Sequence, residues 1–563
     1  MTDGAPELVL GPLLRYVAES EATIWVETDR SCQVAILGRQ AQTFEVAGHH
    51  YALVVLGDLQ PGTEYEYQVA LDGTVRWPEP DSDCPPSVLR TTDPARQVRL
   101  VYGSCRIDEL PVPVRRGSSR RARQRAEEDE KQHGPDAMVA YALDLKKTPH
   151  EQWPDLMLLI GDQVYADNPG PGLRKHIDQT RGAEVPPGYE VANFAEYCFL
   201  YCEAWSEPSV RWLLSVVPTG MIFDDHDVHD DWNTSGAWRR EYAAKPWWPE
   251  RITSAYMSYW IYQHIGNLSP AELAKDELWQ QVQQPGDHAD VLRDLAVRAD
   301  EPASDVQWSY RRTFGRVRVV VIDSRGGRQV EGETRLMTGE EEWRWVTESV
   351  AGDWDHVVLA SSLPLLLPEG IHEMEAWNEA VCGGAWGRRL AGLGERVRQE
   401  LDLEHWAAFS ASFVRFEDLL TGLTTGAHGP APASVTVLGG DIHHSYLAEV
   451  EFPRGPAASD AGPRSAVYQA VCSPIHNVLP DHYKRLHQLT TSKPGGVLGT
   501  GLARLARARL PRITWRTTQG PWFHNMLSSL EYEGRHARIR FARAVCDDAG
   551  VPHLQSVCQT DLT

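Results

Sequence analysis

The chain has 563 residues, 42% of them apolar and 24% charged, with a formal net charge of −23. That length predicts two to four domains rather than one. The acidic balance excludes a broad nucleic-acid footprint, which needs clustered Lys and Arg. No apolar run approaches the roughly 18 residues that span a bilayer.

Nine cysteines, an odd number without paired spacing, fit a reduced compartment better than a disulfide framework. The opening "MTDGAPELVL" has neither a basic start nor a long apolar stretch. No secretory signal is legible there, so a cytoplasmic location is expected, or export if a leader was removed. An acidic protein that handles phosphate would need metal ions to invert the local field.

Residues 1–95 are expected to form an all-β domain. "EATIWVET" and "CQVAILG" have the composition of short strands, and "YALVVLGDLQPGTEYEYQVALDG" reads as two strands joined by a Pro-Gly turn. The run "LQPGTEYEYQV" resembles the strand-turn-strand of fibronectin type III and immunoglobulin-like sandwiches, in which a tyrosine packs across a corner.

From residue 96 to 563, strands and helices alternate, which predicts a layered α/β domain. Strands are expected at 98–103, 156–160, 220–223, 317–322, 357–360 and 435–438. Helices are expected in "EEWRWVTESV" and "EHWAAFSASFVRFEDLLTGL". The basic-then-acidic stretch 115–132 reads as a solvated helical insert, with a partner-docking arm as the sharper alternative. The tail "SSLEYEGRHARIRFARAV" returns to alternation and is expected to add strands at the catalytic domain's edge.

Polar residues gather just after the strand ends, where open α/β sheets place their ligand sites. They are Cys105 in "VYGSCR", Asp162 and Tyr165 in "IGDQVY", and Asp224, Asp225, His226 and Asp227 in "IFDDHDVHDD". Asp323, Arg325 and Arg328 follow in "VIDSRGGR", then Asp441, His443 and His444 in "LGGDIHHS". Singly, each has a bland explanation: Asp162 as a helix cap, Tyr165 as core, Cys105 as a small buried residue. Five carboxylates between Asp224 and Asp231 repel one another unless something positive sits among them. Asp441 and His443, two apart, point the same way if the strand continues. Together the donors form a mixed set. Hard oxygens suit Ca²⁺, Mg²⁺ or Mn²⁺, and imidazole with phenolate suits iron or another transition metal. Arg325 or Arg328 could hold a phosphoryl oxygen bidentately or form structural ion pairs. Trp232, Trp238, Trp247 and Trp248 could wall a pocket, though core packing is the commoner use of such residues.

With "SC", "GDQVY", "DDHD" and "GDIHHS" in this order behind an amino-terminal β-sandwich, the chain resembles the PhoD-like (alkaline phosphatase D) family of metallophosphoesterases. The resemblance implies a layered metallophosphoesterase-like β-sandwich flanked by helices. It also implies a dinuclear centre, with Asp162 bridging both ions and Tyr165, Cys105 and His443 on a ferric ion. Asp225 and Asp441 would hold a second, harder ion, Ca²⁺ by family precedent, with Mn²⁺, Mg²⁺ or Zn²⁺ as alternatives. His226 would be the general acid beside the leaving group. Two departures stand out. The superfamily opens with Asp-x-His where this chain has Ser104-Cys105. The strand end "LASSLPLLL" offers Ser361 and Ser362 where a metal-binding histidine is usual, so an oxygen-only, weakly occupied second site is expected.

The function expected is hydrolysis of a small phosphate monoester or diester by metal-activated water, without an obligate protein partner, membrane or nucleic-acid duplex. Two alternatives remain: a nucleotide pyrophosphatase on the same metal site, and a non-catalytic metal-binding protein built on the sandwich.

Overall fold

The computed structural model describes residues 4–107, 134–332, 334–453, 465–478 and 493–563. The insert expected at 115–132 lies outside the described residues.

The amino-terminal part is all-β. Strands β1 (Leu8–Val17), β2 (Ala22–Thr28), β5 (Phe44–Val46) and β6 (His49–Leu56) form one sheet in the order β1-β2-β6-β5. Strands β3 (Gln33–Ile36), β4 (Arg39–Gln42), β8 (Val69–Leu71) and β9 (Thr74–Trp77) form the facing sheet in the order β4-β3-β8-β9. The Pro61-Gly62 turn does not close a hairpin. It carries the chain from β6 to β7 (Glu64–Glu66), which pairs with β10 (Val88–Arg90) in a separate ribbon. The corner tyrosine is Tyr65, whose hydroxyl accepts from the Gln60 backbone N–H at 2.7 Å.

Alternation along β2 explains how this module joins the rest. Ile24 and Val26 point into the sandwich core, whereas Trp25 turns outward. Trp25 packs against Tyr262 of the larger part, ring centroids 5.3 Å apart. Arg15 is buried beside it and donates to the backbone oxygens of Tyr262 and Gln263 at 3.1 and 2.6 Å.

The larger part holds two sheets. In the first, β11 (Val98–Gly103), β12 (Leu156–Ile160) and β13 (Thr219–Ile222) run parallel. The tail supplies β21 (Met526–Glu533), β22 (His536–Cys546) and β23 (Pro552–Asp561), giving the order β13-β12-β11-β21-β22-β23. The second sheet combines β14 (Tyr310–Phe314), β15 (Val317–Ile322), β16 (His356–Ser361), β17 (Ser434–Gly439), β18 (Ser445–Glu451), β19 (Ala466–Val471) and β20 (Thr514–Trp522), in the order β14-β15-β16-β17-β19-β18-β20. Its four central strands β15, β16, β17 and β19 are parallel.

The near-continuous apolar runs follow from burial on both faces. Val319, Val321, Val358 and Ala360 face the first sheet, packing with Leu100, Met157 and Leu527. Val320, Ile322, Val357 and Leu359 face the opposite way, onto Phe413, Phe416 and Leu420 of the helix Ser410–Thr425. The parallel strands thus bring their carboxyl ends to one rim. All nine cysteines are free thiols. No described helix is long and apolar enough to cross a membrane.

One helix differs from expectation. The pattern "EHWAAFSASFVRFEDLLTGL" reads as helical from Glu404, but the helix starts at Ser410, behind a short 3-10 turn at Trp406–Ala408. Glu404 and His405 are thereby released from helical register and reach the rim.

Candidate metal centre

The loops after β11 and β12 interlock through the backbone, and the loop after β17 joins them where the Asp441 N–H donates to the Ser104 hydroxyl. The N–H groups of Cys105 and Arg106 donate to the carbonyl oxygens of Gly161 and Asp162, at 3.2 and 3.1 Å. Gly161 is required as glycine: its φ is 111°, and a Cβ there would lie 2.8 Å from Asp224 Cβ. The residues these loops present are themselves left-handed, with φ of 59° at Cys105, 49° at Asp162, 65° at Asp441 and 51° at His443. Non-glycine residues adopt this region at a cost of about 1–3 kcal/mol each, and such positions gather at functional sites.

Cys105, Asp162 and His443 bring one ligand atom each within 4.8 Å of the others. Asp162, Asp225 and His226 do the same, as do Asp224, Asp225 and Asp441. Asp162 therefore belongs to two groups, and Asp225 links the second to the third. The Tyr165 hydroxyl lies 3.3 Å from Asp162 Oδ2 and accepts from Asn477 Nδ2 at 3.0 Å. The Cys105 thiol is fully buried, 3.2 and 3.3 Å from the hydroxyls of Ser104 and Ser473.

Asp162 Oδ1, Asp224 Oδ2 and Asp225 Oδ1 are buried and accept no hydrogen bond among the described residues. Burial first, and then mutual repulsion with Asp225, Asp224 and Asp441, holds the Asp162 carboxyl well above its ordinary range. Burial and Asp162 push the Cys105 thiol up in the same way. Orphaned acceptors of this kind, with like charges converging, fit the place of a cation, which would satisfy the oxygens and reverse those shifts.

His226 stands at the edge of the cluster. Its Nδ1 lies 2.9 and 3.0 Å from the two oxygens of Asp167, and its ring lies 4.4 Å from that of Tyr165, centroid to centroid. Burial opposes a charge on this imidazole, but Asp167 and Asp225 overcome it and raise its pKa well above the usual value.

Arg325, expected to clamp a phosphoryl oxygen or else to form ion pairs, is 0% exposed and surrounded by carboxylates. Its Nε donates to Asp224 Oδ1, its Nη1 meets Glu404 Oε2 at 2.6 Å, and its Nη2 lies 3.2 Å from Asp225 Oδ1. Arg328 meets the same Glu404 oxygen at 3.0 Å and donates to the Ser324 carbonyl at 2.7 Å. A guanidinium enclosed in this way has no face left for substrate. The ion-pair alternative describes both arginines, and the role of substrate clamp is withdrawn for Arg325.

Other candidates are structural. Asp323 accepts the backbone N–H groups of Arg325, Gly326 and Gly327 at 2.8, 3.0 and 2.6 Å, which shapes the turn. Asp227 accepts from the Asp224 N–H and Gln263 Nε2, both at 2.9 Å. Trp232 is buried among Phe223 and Tyr256. Ser361 and Ser362 both meet Ser324 by hydrogen bonds, at 3.2 and 2.8 Å.

Sequence reasoning gave no role to Asp167, Glu375, Glu404, His405 or Asn477. Asp167 was within reach, two residues after Tyr165 in the same turn. The others come from distant segments whose own patterns carry no such signal. Two cavities of about 440 and 450 Å³ lie elsewhere and share no residue with the cluster.

A two-sheet α/β sandwich carrying an acid, thiol and imidazole cluster on its parallel strand ends is the architecture of a metal-dependent hydrolase. The chain belongs to the PhoD-like phosphatase family, whose model matches residues 138–498, more than half of its length; it is a phosphoesterase. Cys105 lies ahead of that match. Residues 5–89 match a family described as a domain of unknown function, DUF7800. Among solved structures, one titled "Structure of PhoD" aligns over 100% of this chain and 94% of its own, with a TM-score of 0.57 at 13% identity. It has the same fold. A maltogenic amylase from S. marinus aligns over 95% of this chain and 76% of its own at 8% identity, but its TM-score of 0.15 falls below any shared fold. No curated protein matches the chain.

Proposed function

We propose that the chain hydrolyses small phosphate esters at a dinuclear centre bridged by Asp162. The observation that carries this is the double membership of Asp162, which contributes to two ligand groups while one of its buried oxygens has no partner. PhoD-like phosphatases are metal-dependent, and the donor set suits two different ions. Cys105, Tyr165 and His443 with Asp162 form a mixed thiolate, phenolate, imidazole and carboxylate set suited to iron or another transition metal. Asp225 and Asp441, which group with Asp224 and connect to Asp162 through Asp225, form an oxygen set suited to Ca²⁺, Mn²⁺ or Mg²⁺.

When bound, such a pair of cations supplies a hydroxide near neutral pH and neutralises the phosphoryl oxygens. The chain's own residues do the rest. Asp162 and the left-handed loops fix the donors on the rim. His226, held through Nδ1 by Asp167 and with Nε2 3.7 Å from Asp230 Oδ1, would give a proton to the leaving oxygen. Tyr165 and its Asn477 donor close one side of the cluster. No side chain needs to be phosphorylated. The Asp167–His226 pair favours catalysis over simple metal storage, because a storage site has no use for an oriented proton donor.

The test is elemental analysis of the purified protein beside Asp162→Asn, dialysed identically. Close to two metals in the parent, iron among them, and loss in the variant are expected. A parent that holds no metal and regains none on adding Fe, Ca, Mn or Zn would sink the proposal.

A further inference from the structure

We infer that Glu375 and His405 form a relay that aims Asp441 at the second cation, so that His405 is a positioning residue for metal binding. The inference rests on the dinuclear reading above and adds to it a pair of residues from outside the strand-end motifs.

The geometry begins with the broken helix. Because helical register starts only at Ser410, His405 turns inward and is 8% exposed. Its imidazole lies between two carboxylates, Nδ1 at 2.7 Å from Glu375 Oε1 and Nε2 at 3.2 Å from Asp441 Oδ2. Glu375 comes from the helix Glu369–Cys382 and is 0% exposed. Its other oxygen, Oε2, has no hydrogen-bond partner among the described residues. A buried carboxylate with one partner is costly to keep. Its one hydrogen-bond partner among the described residues is the imidazole that reaches Asp441.

His405 is not itself placed as a ligand. It belongs to none of the groups whose ligand atoms lie within 4.8 Å of one another, although Asp441 does. Ligand atoms of one ion fall inside such a span, so His405 acts through the carboxylate. Asp441 is otherwise tethered at its backbone, where its N–H donates to the Ser104 hydroxyl at 3.1 Å. Its second carboxylate oxygen lies 4.0 Å from Arg325 Nη2. The relay therefore holds Oδ2 on one side, and without it the carboxylate can swing to the Arg325 guanidinium, an internal cation that competes with the metal. Partners of ligating groups of this kind change metal affinity by about 10- to 100-fold when removed.

The expected oxygen-only second site thus has imidazole support from a segment far from the strand end where it was sought. The support is indirect, because the histidine braces the ligand and does not replace it.

The experiment uses the full chain stripped by chelator, with Mn²⁺ and then Ca²⁺ added back and followed by calorimetry and elemental analysis. The proteins are the parent, His405→Ala, His405→Gln and Glu375→Gln, each checked for native circular dichroism. In His405→Ala, one of the two binding steps should weaken about 10- to 100-fold while the other changes less than about 3-fold. His405→Gln, whose amide N–H can still reach Asp441, should recover most of that loss, and Glu375→Gln should fall between. If the alanine variant does not fold, the glutamine pair decides: equal affinities in His405→Gln, Glu375→Gln and the parent overturn the inference. Parent-like binding of both ions by His405→Ala overturns it while leaving the dinuclear reading intact. Equal weakening of both ions without rescue by glutamine also overturns it, because His405 would then be part of the general fold. A parent that binds no ion removes the relay and the dinuclear reading together.

Discussion

Replacing Arg325 by methionine keeps much of the side-chain volume and removes the guanidinium on which Asp224, Asp225, Glu404 and Asp441 converge, leaving Arg328 on Glu404 and His405 on Asp441. The guanidinium lies 2.6 Å from Glu404, 3.2 Å from Asp225 and 4.0 Å from Asp441, and it also pairs with Asp224. At an effective dielectric constant of about 20, these three separations give gross attractions of about 6, 5 and 4 kcal/mol. Most of that is offset by the cost of taking the guanidinium and its partners out of water. Breaking a buried ion pair from one side costs a net 3–5 kcal/mol or so, because the remaining carboxylate stays buried and uncompensated. The expectation is a loss of about 3–5 kcal/mol in urea unfolding of the protein in the presence of chelator. With saturating metal the loss should be roughly half, because cations then neutralise Asp225 and Asp441 and leave only Asp224 and Glu404 exposed to the change. Arg325→Lys should recover part of the loss by restoring charge without the planar fork. A variant within about 1 kcal/mol of the parent in chelator would refute the charge-balance argument.

His226→Ala should lower kcat by about 10²–10⁴ with metal content unchanged. Asp167→Asn should lower it less, and metal loss in either variant would recast His226 as a ligand. Asp136 provides a pH prediction away from the metal site. Burial pushes its carboxyl up, but Arg106 at 2.8 Å, His476 and the Met138 N–H more than offset that, so its pKa falls below the ordinary aspartate range. A depressed carboxylate pKa contributes stability that is present above the unfolded value and lost as pH falls through the folded one. Asp136→Asn should therefore cost about 1.5–3 kcal/mol at pH 7. In urea melts at several pH values the deficit should shrink steadily below about pH 4, and a deficit independent of pH would exclude the ion pair as its source.

Much of the rim was legible because its strands are short apolar runs, and the polar residues follow the end of each run closely. The strands at Val98–Gly103, Leu156–Ile160 and Val317–Ile322 match expectation residue for residue. Local signals end there. Glu404 and His405 sit inside an amphipathic pattern that continues smoothly into the helix Ser410–Thr425, and nothing in the pattern marks where helical register begins. Glu375 is one acid in a helix rich in them, and its burial depends on packing that composition does not encode. Arg325 was ambiguous for the same reason: a strand-end arginine faces substrate or carboxylates according to what other segments place around it. The Pro61-Gly62 turn was read correctly as a turn, but the sheet that its second strand joins is set by pairing with β10, more than twenty residues away.

The left-handed backbone at Cys105, Asp162, Asp441 and His443 has a consequence for how such a protein can be changed. Any procedure that rewards stability alone, whether consensus design or selection for heat resistance, will favour glycine or asparagine at those four positions. It would make the empty protein sturdier, since it would relieve the turns and dismiss buried acids at the same stroke. The product would keep both sheets and lose its chemistry. In this chain the residues easiest to improve are the ones that cannot be spared.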